Sequence, residues 1–130
     1  MADVQLWDRI PYYRTKVTNI LNISEVYTNV ATLTMPASFE SGSYEFKFSL
    51  TFTMNSISNS VYMRWRLDGG DWTEFIAESK DSTDIRPFVY FYPSTYSSGA
   101  HTIDFEMKKS SASNTLNLSF LDLVLVKVGI

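Results

Sequence analysis

The chain has 130 residues, of which 45% are hydrophobic and 19% charged, and its formal net charge is −3. This composition is typical of one globular domain and excludes a chain that is mainly disordered. The acidic balance lacks the basic footprint of nucleic-acid binding, and the absence of cysteine excludes disulfides and thiolate metal sites. No apolar run is long enough for a membrane helix, and Asp3 and Asp8 argue against a signal peptide, so we expect production in a cytoplasm.

The first 14 residues show no clean hydrophobic period and contain Pro11. We therefore predict an N-terminal arm over residues 1–14 and a β-sandwich domain over residues 15–130. Apolar side chains of the arm are candidates for contact with a neighbouring subunit: Trp7, Ile10, Tyr12 and Tyr13.

Strand patterns begin after the arm. Two weaker ones cover residues 15–24 and 27–35, and the clearest covers residues 43–54, where large apolar residues alternate with polar ones from Tyr44 to Met54. Residues 60–67 and 72–79 follow as a hairpin around Asp68-Gly69-Gly70-Asp71, in which adjacent glycines suit a tight turn.

The second half predicts three more strands, over residues 88–93, 101–108 and 115–128. About eight strands separated by polar turns, without a convincing helix, indicate an all-β protein built as an antiparallel β-sandwich. An eight-stranded jelly roll is the leading topology, and an immunoglobulin-like sandwich is the alternative.

Two segments have no polar face. Residues 88–92 and 121–128 carry apolar side chains in both parities, although one side of each sheet in an isolated sandwich meets water. Large exposed apolar patches usually mark interfaces, and closed symmetry is the usual arrangement of oligomers. We therefore expect a homo-oligomer, with a trimer favoured, whose interface includes Tyr90, Tyr92, Leu121, Leu123 and Leu125. The alternative is that loops or the arm of the same chain cover these strands.

Candidates for chemistry are few. His101, the single histidine, stands at the start of a strand without a nucleophile motif around any serine, so we interpret it as a partly buried structural residue and not as a catalytic one. The turn acids suit local backbone hydrogen bonds first, with a cation site or catalysis as alternatives: Asp68, Asp71, Glu74, Asp81 and Asp84. Trp72 and Tyr96 are candidates for a ligand platform, as stacking rings for a glycan. No pattern predicts a cofactor or a metal site.

Four features recur over roughly residues 40 to 130: Gly42 to Tyr44, the Leu-Asp-Gly hairpin from Leu67 to Gly69, the Gly-x-His-Thr-Ile strand from Gly99 to Ile103, and the Leu-rich closing strand from Leu116 to Val128. With these features the sequence resembles small β-sandwich modules of tailed-bacteriophage particles. Trimers of the TNF or C1q type share some of this pattern.

The resemblance implies a non-enzymatic structural virion protein. The function that we expect is a capsid decoration, or cement, protein that assembles as a trimer on the phage head, binds the major capsid protein and stabilises the shell. The alternative is a receptor- or carbohydrate-binding β-sandwich of a tail or fibre, and an enzyme comes third.

Overall fold

The structure is a computed structural model that describes residues 12–54, 60–78, 85–111, 113 and 115–128, and for residues 78 and 85–91 the description is limited to the backbone. Eight strands form in these ranges: β1 Tyr12–Ile20, β2 Thr28–Met35, β3 Gly42–Met54, β4 Ser60–Leu67, β5 Thr73–Glu78, β6 Ile85–Tyr96, β7 His101–Lys109 and β8 Leu116–Lys127. β1 begins at Tyr12, so the last three residues assigned to the arm belong to the sandwich. Within the described ranges, no helix is long and apolar enough to span a membrane.

The strands form two four-stranded antiparallel sheets. The first sheet has the order β1-β8-β3-β6 and the second β2-β7-β4-β5. The chain changes sheet at every connection except the β4–β5 hairpin. This arrangement is an eight-stranded jelly roll, which confirms the predicted fold class.

One core lies between the two sheets. Alternate side chains of β3 point inward from the first sheet and meet alternate side chains of β7 and β4 from the second. The ring of Phe48 lies 4.8 Å from that of Phe105, and the ring of Phe46 lies 4.7 Å from that of Trp65. The period-2 pattern predicted from the sequence therefore packs as expected, with large aromatic rings joining the sheets.

The β4–β5 hairpin turns one residue earlier than its glycine pair suggests. Asp68 and Gly69 have φ values of 52° and 71°, and the Gly70 amide donates to the Leu67 carbonyl at 2.9 Å. Two central residues with positive φ are what a type I′ turn requires, and Asp-Gly is one of its preferred pairs. Asp68 therefore occupies a turn position that orients its carboxylate toward the neighbouring strand β7.

A β-bulge interrupts strand β8. Its pairing with β3 shifts register between Thr51 and Phe52, because Thr51 pairs with Phe120 while Phe52 pairs with Leu118. Ser119 is therefore one extra residue in β8, and a single extra residue reverses which side chains face the core. Leu116 and Leu118 point inward before the bulge, and Leu121, Leu123 and Leu125 point inward after it.

Candidate functional site

The bulge corrects the predicted interface on β8. Leu121, Leu123 and Leu125 are fully buried in the core of their own chain and are not on an outer surface. Beyond Ser119 the three leucines point inward while Val124 and Val126 point outward, so this part of the strand is apolar on both faces, and the bulge decides which of its residues face the core. The signal that sequence reasoning missed is Asp122: a charged residue marks the outward parity, which places Leu121 and Leu123 inside.

The outward side of β8 presents Phe120, Val124 and Val126, which we call the β8 stripe. Val124 is 8% exposed, whereas Phe120 and Val126 are half-buried. In register with Val124 lie Arg14 on β1 and Lys47 on β3, both outward, where their alkyl stems can cover a short aliphatic side chain. The stripe runs along the middle of the outer face of the first sheet.

Asp122 divides the stripe. It is itself buried, and it accepts two hydrogen bonds from the Arg14 guanidinium, from Nε at 2.9 Å and from Nη2 at 2.7 Å. A two-point arginine–carboxylate contact fixes the orientation of both groups. The pair therefore ties edge strand β1 to β8 across the outer face and satisfies the carboxylate there.

The other predicted interface residues occupy different positions. Tyr12 is 61% exposed and stands in register with Val126, so it extends the β8 stripe toward β1. Tyr13 instead points inward, with its ring 5.3 Å from that of Phe39. Tyr90 is paired with Phe48 in the backbone register, and its side chain lies outside the described atoms, as do residues Trp7 and Ile10 entirely.

Tyr92 lies at the open edge of the sandwich. It pairs with the core residue Phe46, its ring packs edge-on against Trp65 at 5.3 Å, and 40% of it remains exposed. Strand β6 is the edge of the first sheet, so this ring closes the core on that side while still meeting solvent.

The outer face of the second sheet has a different character, because its charges are paired. Arg64 Nη2 lies 2.6 Å from Glu106 Oε1, and Arg66 Nε lies 3.3 Å from Asp104 Oδ2, each pair joining β4 to β7. Cross-strand pairs of opposite charge stabilise a sheet modestly. This face therefore carries charges that are largely neutralised within the chain.

Aromatic rings stack on these arginines. The Arg64 guanidinium lies 3.9 Å from the centre of the Tyr27 ring and 4.0 Å from that of Trp72, and Arg66 lies 4.2 Å from Trp72. The Tyr27 hydroxyl donates to Glu74 at 2.9 Å, and burial is the main cause that raises the Tyr27 pKa, followed by this hydrogen bond. Trp72 is half-buried and guanidinium groups stack on its ring, so a glycan could stack only on the part of the ring that they leave uncovered.

Tyr96, in contrast, is not a surface platform. It is 5% exposed and packs edge-on against Tyr44 and Phe39 at 5.6 and 6.1 Å. Burial raises its pKa to about 12. The predicted pair of platform residues is therefore wrong for Tyr96, which belongs to the core.

His101 is a structural residue at the start of β7. It is buried, with its Nδ1 2.5 Å from Asp68 Oδ2 and its Nε2 2.7 Å from the Ser97 carbonyl oxygen. Nδ1 thus faces a carboxylate, and Nε2 lies nearer to the Ser97 carbonyl oxygen than to the Ser97 hydroxyl, which is 3.4 Å away. The hydrogen bond that His101 donates to Asp68 is the main cause that raises the pKa of His101, against burial, which lowers it.

Two of the turn acids make contacts that differ from the predicted local backbone hydrogen bonds, because their partners lie far along the chain. The Asp68 backbone amide and carboxylate both bind Thr102, at 2.8 Å each, and Glu74 binds Tyr27. Asp71 is exposed, and Asp81 and Asp84 lie outside the described residues. In the part of the chain that the structure describes, no three acidic or histidine side chains gather in a way that could hold a metal ion.

No model of a known protein family matches this sequence, and neither does any curated protein. Solved structures do match it. A chain of the infectious bursal disease virus Gt strain matches with a TM-score of 0.55 and 13% identity over 92% of this chain and 38% of its own length. The VP2 subviral particle of that virus matches with a TM-score of 0.54 and 14% identity over 92% of this chain and 33% of its own.

A third match is the Eiger TNF from S. frugiperda, with a TM-score of 0.54 and 8% identity over 92% of this chain and 93% of its own length. This chain spans only about a third of the viral chains but nearly the whole TNF chain. At these identities the likeness shows the fold alone.

Proposed function

We propose that this chain is a non-enzymatic structural protein of a phage virion: a decoration protein, made in the host cytoplasm, that assembles as a trimer on the head and binds the major capsid protein there. The observation that carries the proposal is the contrast between the two outer faces of the sandwich. One face has an apolar stripe in its centre, divided by the Arg14–Asp122 pair, and the other has two cross-strand ion pairs with aromatic rings stacked on their arginines.

The first sheet is the better contact surface. Tyr12 and Val126 lie side by side on it, with Tyr12 largely exposed, and Phe120 extends the stripe at the other end. Charged groups flank the stripe at Lys16 and Glu45. An apolar centre with a polar rim is the usual anatomy of a protein interface.

The second sheet supports the proposal by its contrast. Its central strands β7 and β4 have outward residues that bind one another as ion pairs, and Trp72 and Tyr27 stack on the same arginines. Such a face satisfies its own polar groups, so covering it would add little binding energy. We therefore assign assembly to the first sheet.

The arrangement at His101 supports a non-enzymatic role. A histidine that acts as a general base needs one unprotonated nitrogen within reach of a nucleophile. His101 is buried, its Nδ1 contacts Asp68, and its Nε2 lies 2.7 Å from the Ser97 carbonyl oxygen but 3.4 Å from the Ser97 hydroxyl. The residues of a Ser-His-Asp set are near one another here, but the contacts are those of a structural clamp.

Stabilisation of a shell would follow from mass action. A protein that binds the assembled capsid and not its separated subunits shifts the equilibrium toward the assembled form. A stable interface buries about 800 Å² per partner, which is more than the β8 stripe offers alone. The flanking residues of β1 and β3 must therefore join the contact.

The first experiment measures the oligomeric state of the purified chain by light scattering and sedimentation. We expect a mass of about three times the 14.9 kDa of one chain. Val126→Lys places a charge in the β8 stripe without touching the core. It should raise the dissociation constant of the trimer by at least about tenfold, so that the measured mass moves toward that of the monomer.

The matched control is Thr34→Lys, which adds the same side chain on the outer face of the second sheet, where Thr34 is exposed. We expect it to assemble like the unmodified chain. A monomer at every concentration, or equal behaviour of the two lysine variants, would contradict the assignment of the first sheet.

The second experiment concerns the partner. Heads prepared without this protein should bind the added chain and resist heating better, and Val126→Lys should bind them less. Glycan binding that is lost in Trp72→Ala, without binding to heads, would favour the receptor- or carbohydrate-binding alternative. Genes for portal, protease and major capsid proteins beside its own would support placement on the head.

A further inference from the structure

Three loops meet at His101, at one end of the sandwich. Asp68 comes from the β4–β5 loop and Ser97 from the β6–β7 turn, and Phe39 of the β2–β3 loop packs its ring edge-on against the imidazole at 5.3 Å. The Gly99 amide also donates to the Phe39 carbonyl at 3.0 Å. The imidazole is therefore the common contact of three segments that are far apart in sequence.

The two acceptors on the ring require two protons. A carboxylate and a backbone carbonyl cannot donate, so both contacts are hydrogen bonds only when Nδ1 and Nε2 each carry a hydrogen. A neutral imidazole has one hydrogen and must give up one of the two bonds. The Asp68 bond is charge-assisted and the shorter of the two, so the bond to Ser97 is the one lost.

We propose that His101 and Asp68 form a protonation-dependent lock, which holds the β6–β7 turn against the sandwich when the imidazole is charged and releases that turn when it is neutral. Asp68 itself stays in place in both states, because its backbone amide and its carboxylate are also bound to Thr102. The mobile part is the turn from Ser97 to Gly99. This lock is independent of the proposed assembly face.

The Ser97 hydroxyl moderates the release. Its oxygen lies 3.4 Å from His101 Nε2, and a hydroxyl can donate to an unprotonated nitrogen where a carbonyl cannot. In the neutral state the hydroxyl therefore replaces part of the lost contact. Removing it should make the release larger.

The groups that face the imidazole are few. Asp68 supplies the charge from the β4–β5 loop, and the Ser97 carbonyl and hydroxyl face it from the β6–β7 turn. Phe39 and Tyr96 contact it with their rings, at 5.3 and 6.0 Å. The Tyr96 phenol stays neutral at ordinary pH because burial raises its pKa to about 12.

The sign of the pH effect follows from these contacts. The pKa of His101 is raised above its ordinary value of 6.5. The stabilising contribution of the charged imidazole is therefore complete below pH 6.5 and is lost as the pH rises through the raised value in the folded protein.

The test combines an NMR titration of the His101 ring with amide hydrogen exchange at Gly99, between about pH 5.5 and about pH 8.5. After correction for intrinsic exchange, protection at Gly99 should fall several-fold, with a midpoint equal to the pKa of His101. Ser97→Ala should deepen the fall. Asp68→Asn, whose side chain tolerates positive φ, should lower the midpoint.

The matched control is Asp104→Asn, which removes a carboxylate from the same sheet without touching His101. It should leave both the midpoint and the Gly99 protection unchanged. A ring that titrates at or below 6.5 in the unmodified chain, or Gly99 protection that does not vary with pH, would overturn the proposal, and neither measurement depends on whether a variant folds.

Discussion

Individual buried polar groups decide how the ends of this sandwich are held. Tyr44 is fully buried, and its hydroxyl donates to the Glu40 carbonyl at 2.7 Å while its ring stacks on Phe39 at 4.6 Å. The buried Lys109 ammonium donates to the Asn22 side chain at 2.9 Å. Each of these contacts ties a loop to a strand, because a buried polar group without a partner is costly.

Replacing Tyr44 by phenylalanine tests one such contact. The ring packing is kept, and the Glu40 carbonyl loses its donor, so we expect the free energy of unfolding to fall by about 1 kcal/mol. Urea unfolding measures this loss. Tyr12→Phe removes the same hydroxyl from a ring that is 61% exposed and should change stability little. Equal losses of stability in the two variants would mean that the hydrogen bond from Tyr44 to Glu40 does not stabilise the fold.

Among the elements, β8 shows how one extra residue changes which side chains of a strand face the core. Ser119 is exposed, and it is the extra residue opposite the Thr51–Phe52 step of β3. On the other side of β8, strand β1 has its own irregularity at Asn19, where φ is 57°. The bulge lets β8 place leucines in the core on both sides of it and leaves Val124 and Val126 outside.

Deleting Ser119 tests this interpretation. The deletion restores strict alternation, so every inward leucine of β8 stays inward and we expect a folded, cooperative protein. Deleting Asp122 instead reverses the parity of Leu123 and Leu125 and should prevent folding. Asp122→Asn separates this effect from loss of the Arg14 contact. Circular dichroism and thermal unfolding compare the folding and stability of the two deletion variants. Equal effects of the two deletions would contradict a bulge at Ser119.

The accuracy of sequence reasoning differed between strands for a physical reason. Regular alternation identified β3 and β7, from Tyr44 to Met54 and from His101 to Lys108, because side chains of an uninterrupted strand keep their phase. The same reasoning misplaced Leu121 because it carried one alternation through Ser119, although the charge of Asp122 marks the outward side of the strand beyond it. Tyr96 was misplaced for another reason: its burial depends on Phe39 and Tyr44, contacts that only the folded topology creates.

At the scale of the whole molecule, one core serves two different outer faces. The rings of Phe48 and Phe105 meet between the sheets, and Phe75 of β5 adds a third ring 5.7 Å from Phe48. Outside, the first sheet offers the β8 stripe and the second offers paired charges. The sandwich can therefore present a contact face without weakening its core, since the residues that hold the sheets together are not those that face a partner.

Because one core joins the two sheets, we expect both sheets to unfold together. Phe48→Ala in the first sheet and Phe105→Ala in the second should each lower the free energy of unfolding by about 3–5 kcal/mol, since both rings are fully buried. Domains of this kind have only about 5–15 kcal/mol in total. Because the rings touch, the double variant should lose less than the sum of the two single losses. Urea unfolding followed by tryptophan fluorescence, with Trp65 in the second sheet, and by circular dichroism should give one coincident transition. Separate transitions for the two signals would show instead that the sheets are independent units.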